Sequence, residues 1–166
     1  MEEELNNFNG NAVTYAAIDI GSNAVRLLIK QLESEEEPLF SKVLLLRVPL
    51  RLGFDVFASG KISEIKEKNM VRLMKAYKNL MKIYNVSSYR ACATSAMRDA
   101  SNGPEIIRAI EKKTGIKIEI IDGQEEAKMI YNNHIEYMKG RKGNFMYVDV
   151  GGGSTEINLL ADGELV

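Results

Sequence analysis

AIDIGSN at Ala17–Asn23 and YVDVGGG at Tyr147–Gly153 follow one pattern. Each has apolar residues, an aspartate, a β-branched residue and then a glycine-containing turn, and a second apolar run follows each of them. A β-branched run that ends in a turn of this kind and then resumes predicts a β-hairpin. The sequence therefore predicts the same hairpin twice.

The second copy of the pattern lies at the end of the chain. An isolated two-stranded hairpin is only marginally stable in water. Residues 144–166 must therefore pack on the first domain, pair with another chain or begin a second lobe, and we favour the last. We predict a frayed tail at residues 1–12, a first lobe at 13–140 and the start of a truncated second lobe at 141–166.

The composition indicates an ordinary soluble domain. The 22 basic and 23 acidic residues give a net charge of −1, which disfavours a nucleic-acid or membrane binder because such proteins carry excess positive charge. No apolar run approaches the ~18–20 residues of a membrane span. The single cysteine, Cys92, excludes a disulfide scaffold and a cysteine zinc cluster, and favours the cytoplasm.

The order of the predicted elements indicates an α/β fold. The spacing of apolar residues predicts a helix from about Ser63 to Tyr84, with one face packed in the core. Three strands before this helix and alternating strands and helices after it predict a mixed sheet covered by helices. The predicted strands are Val13–Ile20, Val25–Leu32, Leu39–Val48, Tyr89–Thr94, Ile116–Ile121, Asn144–Val150 and Ser154–Leu160, and further helices are predicted at Pro104–Lys113 and Gly123–Lys139.

The loop Gly151–Thr155 has a composition that suits an anion. Glycines at the end of a strand let the backbone approach an anion closely, and Ser154 and Thr155 add hydroxyl donors. Asp149 would repel a bare phosphate unless a divalent cation such as Mg²⁺ lay between the two. Either glycine loop alone could be a plain turn, but two matching loops, each preceded by an aspartate, favour a phosphate site.

Four motifs in order resemble those of the exopolyphosphatase and guanosine pentaphosphate phosphohydrolase family: DIGSN at 19–23, ATSAMRDASN at 93–102, GQEEA at 123–127 and DVGGGSTE at 149–156. The two glycine loops resemble the phosphate-binding loops of the actin, sugar-kinase and heat-shock-chaperone superfamily. The resemblance implies a ribonuclease H-like (actin-type ATPase) domain with a mixed five-stranded sheet and flanking helices, followed by the first hairpin of a similar lobe. It also implies a homodimer at full length.

The resemblance implies hydrolysis of the terminal phosphoanhydride bond of inorganic polyphosphate or guanosine pentaphosphate, with Mg²⁺ or a similar cation. Glu126 would be the base that activates water, and the planar guanidinium of Arg98 would clamp a phosphate. The expected metal residues are Asp149, Asp19 and Glu156, and the expected phosphate-binding residues are Ser22, Asn23, Gly151, Gly152, Gly153, Ser154 and Thr155.

Alternatives remain open for several of these residues. Glu125 and Glu126 could both be acids favoured at a helix N-terminus; we prefer this interpretation for Glu125 and the catalytic one for Glu126. Glu156 could equally face solvent, and Arg98 could pair with Asp99. At the level of function, a kinase or ATPase of the same superfamily and a non-catalytic sensor of an alarmone nucleotide are the alternatives. The 166-residue chain alone is expected to show little turnover, because its cleft is incomplete.

Overall fold

Two β-sheets, each containing one of the repeated hairpins, form the framework of the structure, which is a computed structural model. It describes residues 13–34, 39–138, 143–153, 155–161 and 164–165, so the predicted tail at 1–12 lies outside the described residues. The strands are β1 (Thr14–Ile20), β2 (Val25–Ser34), β3 (Leu39–Val48), β4 (Val86–Ala93), β5 (Glu119–Ile120), β6 (Asn144–Val150), β7 (Thr155–Ala161) and β8 (Glu164–Leu165). The helices are α1 (Leu52–Ser59), α2 (Glu64–Ile83), α3 (Ser95–Asp99), α4 (Gly103–Thr114) and α5 (Gly123–Met138).

The first sheet has five strands in the order β3-β2-β1-β4-β5. Strands β1, β2 and β3 pair antiparallel, whereas β4 pairs parallel with both β1 and β5. This confirms the predicted mixed five-stranded sheet. The carboxyl ends of β1, β4 and β5 meet at one edge, where the N–H of Thr94 bonds the carbonyl of Ile20 at 3.1 Å. Segments far apart in the sequence are thereby brought together at this edge.

The core lies between one face of this sheet and helices α1 to α4. Met70, Met74 and Tyr77 of α2 are fully buried, as are Ile18 and Leu27 of the sheet, which confirms the predicted packing face of the long helix. The hydroxyl of Tyr77 donates a hydrogen bond to a carbonyl of β2 at 3.1 Å. Burial raises the pKa of Tyr77 to about 12, so it remains a neutral donor.

The second sheet has three strands in the order β6-β7-β8. Four residues separate Ile20 from Val25 in the first hairpin, and four separate Val150 from Thr155 in the second, so the repeated hairpin is confirmed. The apolar side chains exposed on one face of β6 and β7 are Met146, Val148, Val150, Ile157 and Leu159. The boundary between lobes stays a prediction. No helix within the described residues combines the length and apolarity needed to cross a bilayer.

Two short helices, α1 and α3, were not predicted. Tertiary contacts fix the start of α1: the N–H groups of Arg51 and Gly53 bond the carbonyls of Asn23 and Ser22, both at 2.8 Å. Helix α3 spans five residues, too few to show a helical period. The predicted strand Ile116–Ile121 was also too long, because only β5 pairs with β4.

Asp55 joins α1 to α2, and its loss is expected to weaken this corner. Its carboxylate lies 2.6 Å from Lys66 Nζ and accepts the N–H of Ser63 at 3.0 Å. Burial raises the pKa of Asp55, but the bonds from Lys66 and Ser63 outweigh this and leave the pKa below its ordinary 3.8. We expect Asp55→Asn to lower the free energy of unfolding at pH 7 by about 1–3 kcal/mol.

The effect of Asp55→Asn should depend on pH in a defined direction. A carboxyl whose folded-state pKa is depressed stabilises the fold above its unfolded pKa, and this stabilisation is lost as pH falls through the folded value. Urea unfolding of both proteins between pH 7 and pH 3 is the measurement. The difference between them should shrink below about pH 4, and a difference that stays constant would contradict the role given to the charge.

Candidate active site

A cavity of about 130 Å³ lies where the two glycine loops meet, at the carboxyl edge of the first sheet. The residues that line it are Asp19, Gly21, Ser22, Asn23, Ala24, Arg26, Thr94, Ser95, Glu126, Val150, Gly151, Gly152 and Gly153. Seven of these residues were predicted from the sequence to belong to the site, and they come from three separate parts of the chain: Asp19, Ser22 and Asn23, then Glu126, then Gly151, Gly152 and Gly153. The structure therefore brings the two loops and the predicted base into one place.

Gly153 sits so close to the first loop that a side chain would not fit without movement. A Cβ at Gly153 would lie 2.5 Å from Phe57 Cζ, 2.6 Å from Ser95 Oγ and 2.7 Å from Ser22 Oγ. The two serine hydroxyls are themselves hydrogen-bonded at 2.7 Å. The absence of a side chain at Gly153 thus allows the second loop to seat against the first.

Glu126 lies in the first turn of α5, which is the helix that follows β5. Asp122 caps this helix, because its side chain accepts the N–H of Glu125 at 2.8 Å. This local pattern, an aspartate followed three residues later by a glutamate, is a helix start signal. The Glu126 side chain is 16% exposed and reaches the cavity. A carboxylate at this position can accept a proton from a water molecule in the cavity.

Arg26 lines the cavity but was not among the site residues predicted from the sequence. Its Nη1 lies 2.7 Å from Asp19 Oδ2, and the two residues are directly opposite across β1 and β2. In the sequence, Arg26 lies within an apolar run that was interpreted only as a strand. The length of the loop between β1 and β2 could have identified Arg26, because four loop residues set Asp19 opposite Arg26 in the hairpin. The equivalent pair in the second hairpin is Asp149 and Glu156.

Arg98 does not line the cavity, although the sequence analysis proposed it as a phosphate clamp. Its Nη1 donates to the carbonyl of Ile121 at 2.8 Å and lies 3.8 Å from Glu126 Oε2. Its Nε is 4.0 Å from Asp99 Oδ1, at the outer limit for an ion pair. Arg98 therefore lies beside the predicted base but outside the cavity, whereas Arg26 lines the cavity.

The remaining predicted residues belong to the second hairpin. Asp149 and Glu156 pair across β6 and β7 in backbone register, but their side chains lie outside the described part, as does the whole of Ser154. Thr155 is exposed at the start of β7 and does not line the cavity. Their proposed roles in metal and phosphate binding stay predictions.

Among the described residues, no cluster of three or more histidine, cysteine, aspartate or glutamate side chains could hold a metal ion. The oxygen groups at the cavity are the carboxylates of Asp19 and Glu126 and the hydroxyls of Ser22 and Ser95, and they lie beside the guanidinium of Arg26. Mg²⁺ prefers oxygen ligands and is usually held by one or two carboxylates together with water and substrate phosphates. Arg26 already neutralises Asp19, so a cation at Asp19 would compete with an internal ion pair.

A larger cavity of about 410 Å³ adjoins the first and shares Asp19, Arg26 and Glu126 with it. Arg90 and Cys92 of β4 line its other side. Burial raises the pKa of the Cys92 thiol, so this residue is protonated at neutral pH. This agrees with its interpretation as a small core residue and gives it no nucleophilic role.

Comparisons with known proteins place this geometry in context. Residues 29–166 match the Ppx/GppA phosphatase family. A bifunctional 3-dehydroquinate synthase/phosphatase of Fusobacterium nucleatum is 33% identical over 149 residues, which cover 87% of this chain and 22% of that protein. Exopolyphosphatase 1 of Mycobacterium tuberculosis is 26% identical over 147 residues, which cover 89% and 42%.

A solved structure, an exopolyphosphatase from Cytophaga hutchinsonii, superposes with a TM-score of 0.84 at 25% identity, over 92% of this chain and 48% of that one. The chain spans less than half the length of each of these three proteins. Because the family match includes the second glycine loop, Glu126 and most of the first sheet, the chain belongs to the Ppx/GppA phosphatase family.

Proposed function

We propose that this protein removes terminal phosphate from inorganic polyphosphate, from guanosine pentaphosphate or from both, by attack of water on the phosphoanhydride bond. The observation that carries the proposal is that Glu126 and both glycine loops line one cavity. Its exopolyphosphatase relatives and its family support a phosphatase.

The cavity offers complementary groups to a terminal phosphoryl group. The glycines of the second loop allow close approach of backbone to phosphate oxygens. One of the hydroxyls of Ser22 and Ser95 can donate to them, while the other donates within the hydrogen bond that joins the two serines. Arg26 supplies a positive charge with a planar set of donors that suits phosphate oxygens. Together these groups would hold the terminal phosphoryl group in place. Positioning and electrostatic stabilisation supply most of the catalysis in phosphoryl transfer.

Glu126 would supply the chemical step. The oxygen of a water molecule forms a bond to phosphorus while the bond from phosphorus to the bridging oxygen breaks, and the bridging oxygen keeps the electron pair. The proton of the attacking water passes to the Glu126 carboxylate and is later lost to solvent. A positioned general base of this kind contributes roughly 10²–10⁴-fold to a rate.

Mg²⁺, when bound, would neutralise charge on the phosphate oxygens. Asp19 is the described carboxylate that would hold it, and Asp149 and Glu156 stay candidates from the sequence. Release of Arg26 from its bond to Asp19 would leave the guanidinium available to the substrate. These assignments follow from the chemistry of the donors.

The direct test measures phosphate release by the product of the complete reading frame. Polyphosphate, guanosine pentaphosphate and ATP are offered separately, with Mg²⁺ and again after chelation of divalent cations. We expect release from one or both of the first two substrates, and a loss of more than about tenfold after chelation, because the metal carries much of the charge neutralisation.

Each other outcome selects a different function. Turnover of ATP alone would identify a kinase or ATPase of the same fold. Tight binding of guanosine pentaphosphate without phosphate release would identify a nucleotide sensor. Full activity after chelation would show that Asp19 does not serve a metal.

A further inference from the structure

The first turn of α5, which carries Glu126, is held by one arginine on each side. Arg90 of β4 lies 2.8 Å from Glu119 Oε2 and 2.6 Å from Glu125 Oε1. Arg98 of α3 donates to the carbonyl of Ile121 at 2.8 Å and lies 3.8 Å from Glu126 Oε2. Two neighbouring elements thus fix the helix turn that presents the proposed base.

The two arginines differ in what they contact. Arg90 pairs with Glu125, whose side chain is 44% exposed, so this contact fixes the helix on its solvent side. Arg98 faces Glu126, whose side chain is 16% exposed. Because fewer water molecules screen a partly buried pair, the charge of Arg98 acts on Glu126 more strongly than a surface charge would.

The guanidinium of Arg98 is anchored independently of Glu126. Its bond to the carbonyl of Ile121 fixes it at the end of β5, beside the start of α5. The separation of 3.8 Å from Glu126 is an ion-pair distance and too long for a direct hydrogen bond. Such a contact orients a carboxylate by charge.

Arg98 also lies outside the two cavities that contain Glu126, whereas Arg26 lines both. A residue in this place acts on the reaction through the base. We propose that Arg98 is a positioning residue that holds the Glu126 carboxylate toward the attacking water. This inference rests on the proposed function of Glu126.

The test compares Arg98→Gln with Arg98→Lys and with the matched control Arg90→Gln, in the product of the complete reading frame. We expect Arg98→Gln to lower kcat about 10–100-fold, since small misplacements of a catalytic group have effects of this size. KM should stay within about threefold, because substrate binding is unchanged. Arg98→Lys should recover part of kcat, and Arg90→Gln should change kcat by less than Arg98→Gln.

A double-mutant cycle separates positioning from phosphate binding. In the Glu126→Gln background, Arg98→Gln should cost little further activity, because the residue that Arg98 orients has already been removed. A rise in KM with unchanged kcat, or a full additional loss in that background, would show a phosphate clamp and overturn the inference. Equal effects of Arg98→Gln and Arg90→Gln would also overturn it, because they would indicate general loosening of α5.

A spectroscopic measurement keeps this inference separate from the proposed function. The side-chain carboxyl carbon of Glu126 is observed by ¹³C NMR in protein labelled at glutamate and assigned by its loss in Glu126→Gln. Arg98→Gln should shift this resonance at fixed pH, and by more than Arg90→Gln does, because Arg98 faces the Glu126 carboxylate and Arg90 faces Glu125. If the unmodified protein releases phosphate from no substrate, the proposed function fails, and an unshifted resonance would then overturn the pairing of Arg98 with Glu126.

Discussion

Replacing Glu126 with glutamine is expected to lower phosphate release more than 100-fold while substrate binding stays within a few-fold of the original. Glutamine keeps the size of the side chain and its place in the first turn of α5, but it cannot accept a proton from water. A loss of this size is the usual contribution of a general base. The measurement is kcat together with an equilibrium dissociation constant for the same substrate.

Glu125→Gln is the matched control, because it makes the same chemical change one residue earlier. Glu125 faces Arg90 on the solvent side of the helix and does not line the cavity, so its variant should keep its rate within a few-fold. A Glu126→Gln variant that retains more than about a tenth of the rate would contradict the role of base. Loss of binding in Glu126→Gln would instead assign the carboxylate to substrate or metal binding.

Gly153→Ala is expected to reduce kcat by roughly 100-fold with little change in the free energy of unfolding. Its Cβ would lie within 2.7 Å of side-chain atoms of Phe57, Ser95 and Ser22, so these side chains or the second loop must shift, and either movement disturbs the cavity. Displacement of about 1 Å is sufficient for a rate loss of this size when catalysis depends on placement. Steady-state kinetics and thermal unfolding of the same variant are the measurements.

Gly123→Ala provides the control for Gly153→Ala. Gly123 begins α5 only three residues before Glu126 in the sequence, yet a Cβ there would meet no atom within 4 Å. Alanine is also the better helix former, so this variant should retain its activity and its stability. Full activity in Gly153→Ala would show that the close approach of the two loops is not needed during turnover.

The sequence was sufficient to predict those parts of the fold that depend on local pattern. The apolar spacing that predicted a helix near Ser63–Tyr84 agrees with α2, and the apolar run that predicted a strand at Val13–Ile20 agrees with β1. The repeated hairpin was predicted correctly because strand, aspartate and glycine turn are contiguous in each copy. The start of the helix that carries Glu126 was also predicted from the sequence, because a helix start is a local signal.

Some features that depend on contacts between distant segments were not predicted. Helix α1 has only eight residues and is preceded by Arg51 in a left-handed conformation, and backbone bonds to the loop at Ser22 and Asn23 fix its start. No periodic pattern in the sequence shows such a helix, because short helices depend on tertiary packing for their stability.

The arginines show the same distinction within the site. ATSAMRDASN marked Arg98 as a candidate, but the sequence could not show which group its guanidinium faces. The antiparallel pairing of β1 and β2 sets Arg26 opposite Asp19 at the cavity. The parallel pairing of β4 and β5 brings Arg98, which follows β4, close to Glu126, which follows β5. Local sequence determined which residues could do chemistry, and the tertiary structure decided their roles, because the direction of a side chain depends on strand register and on neighbours distant in the chain.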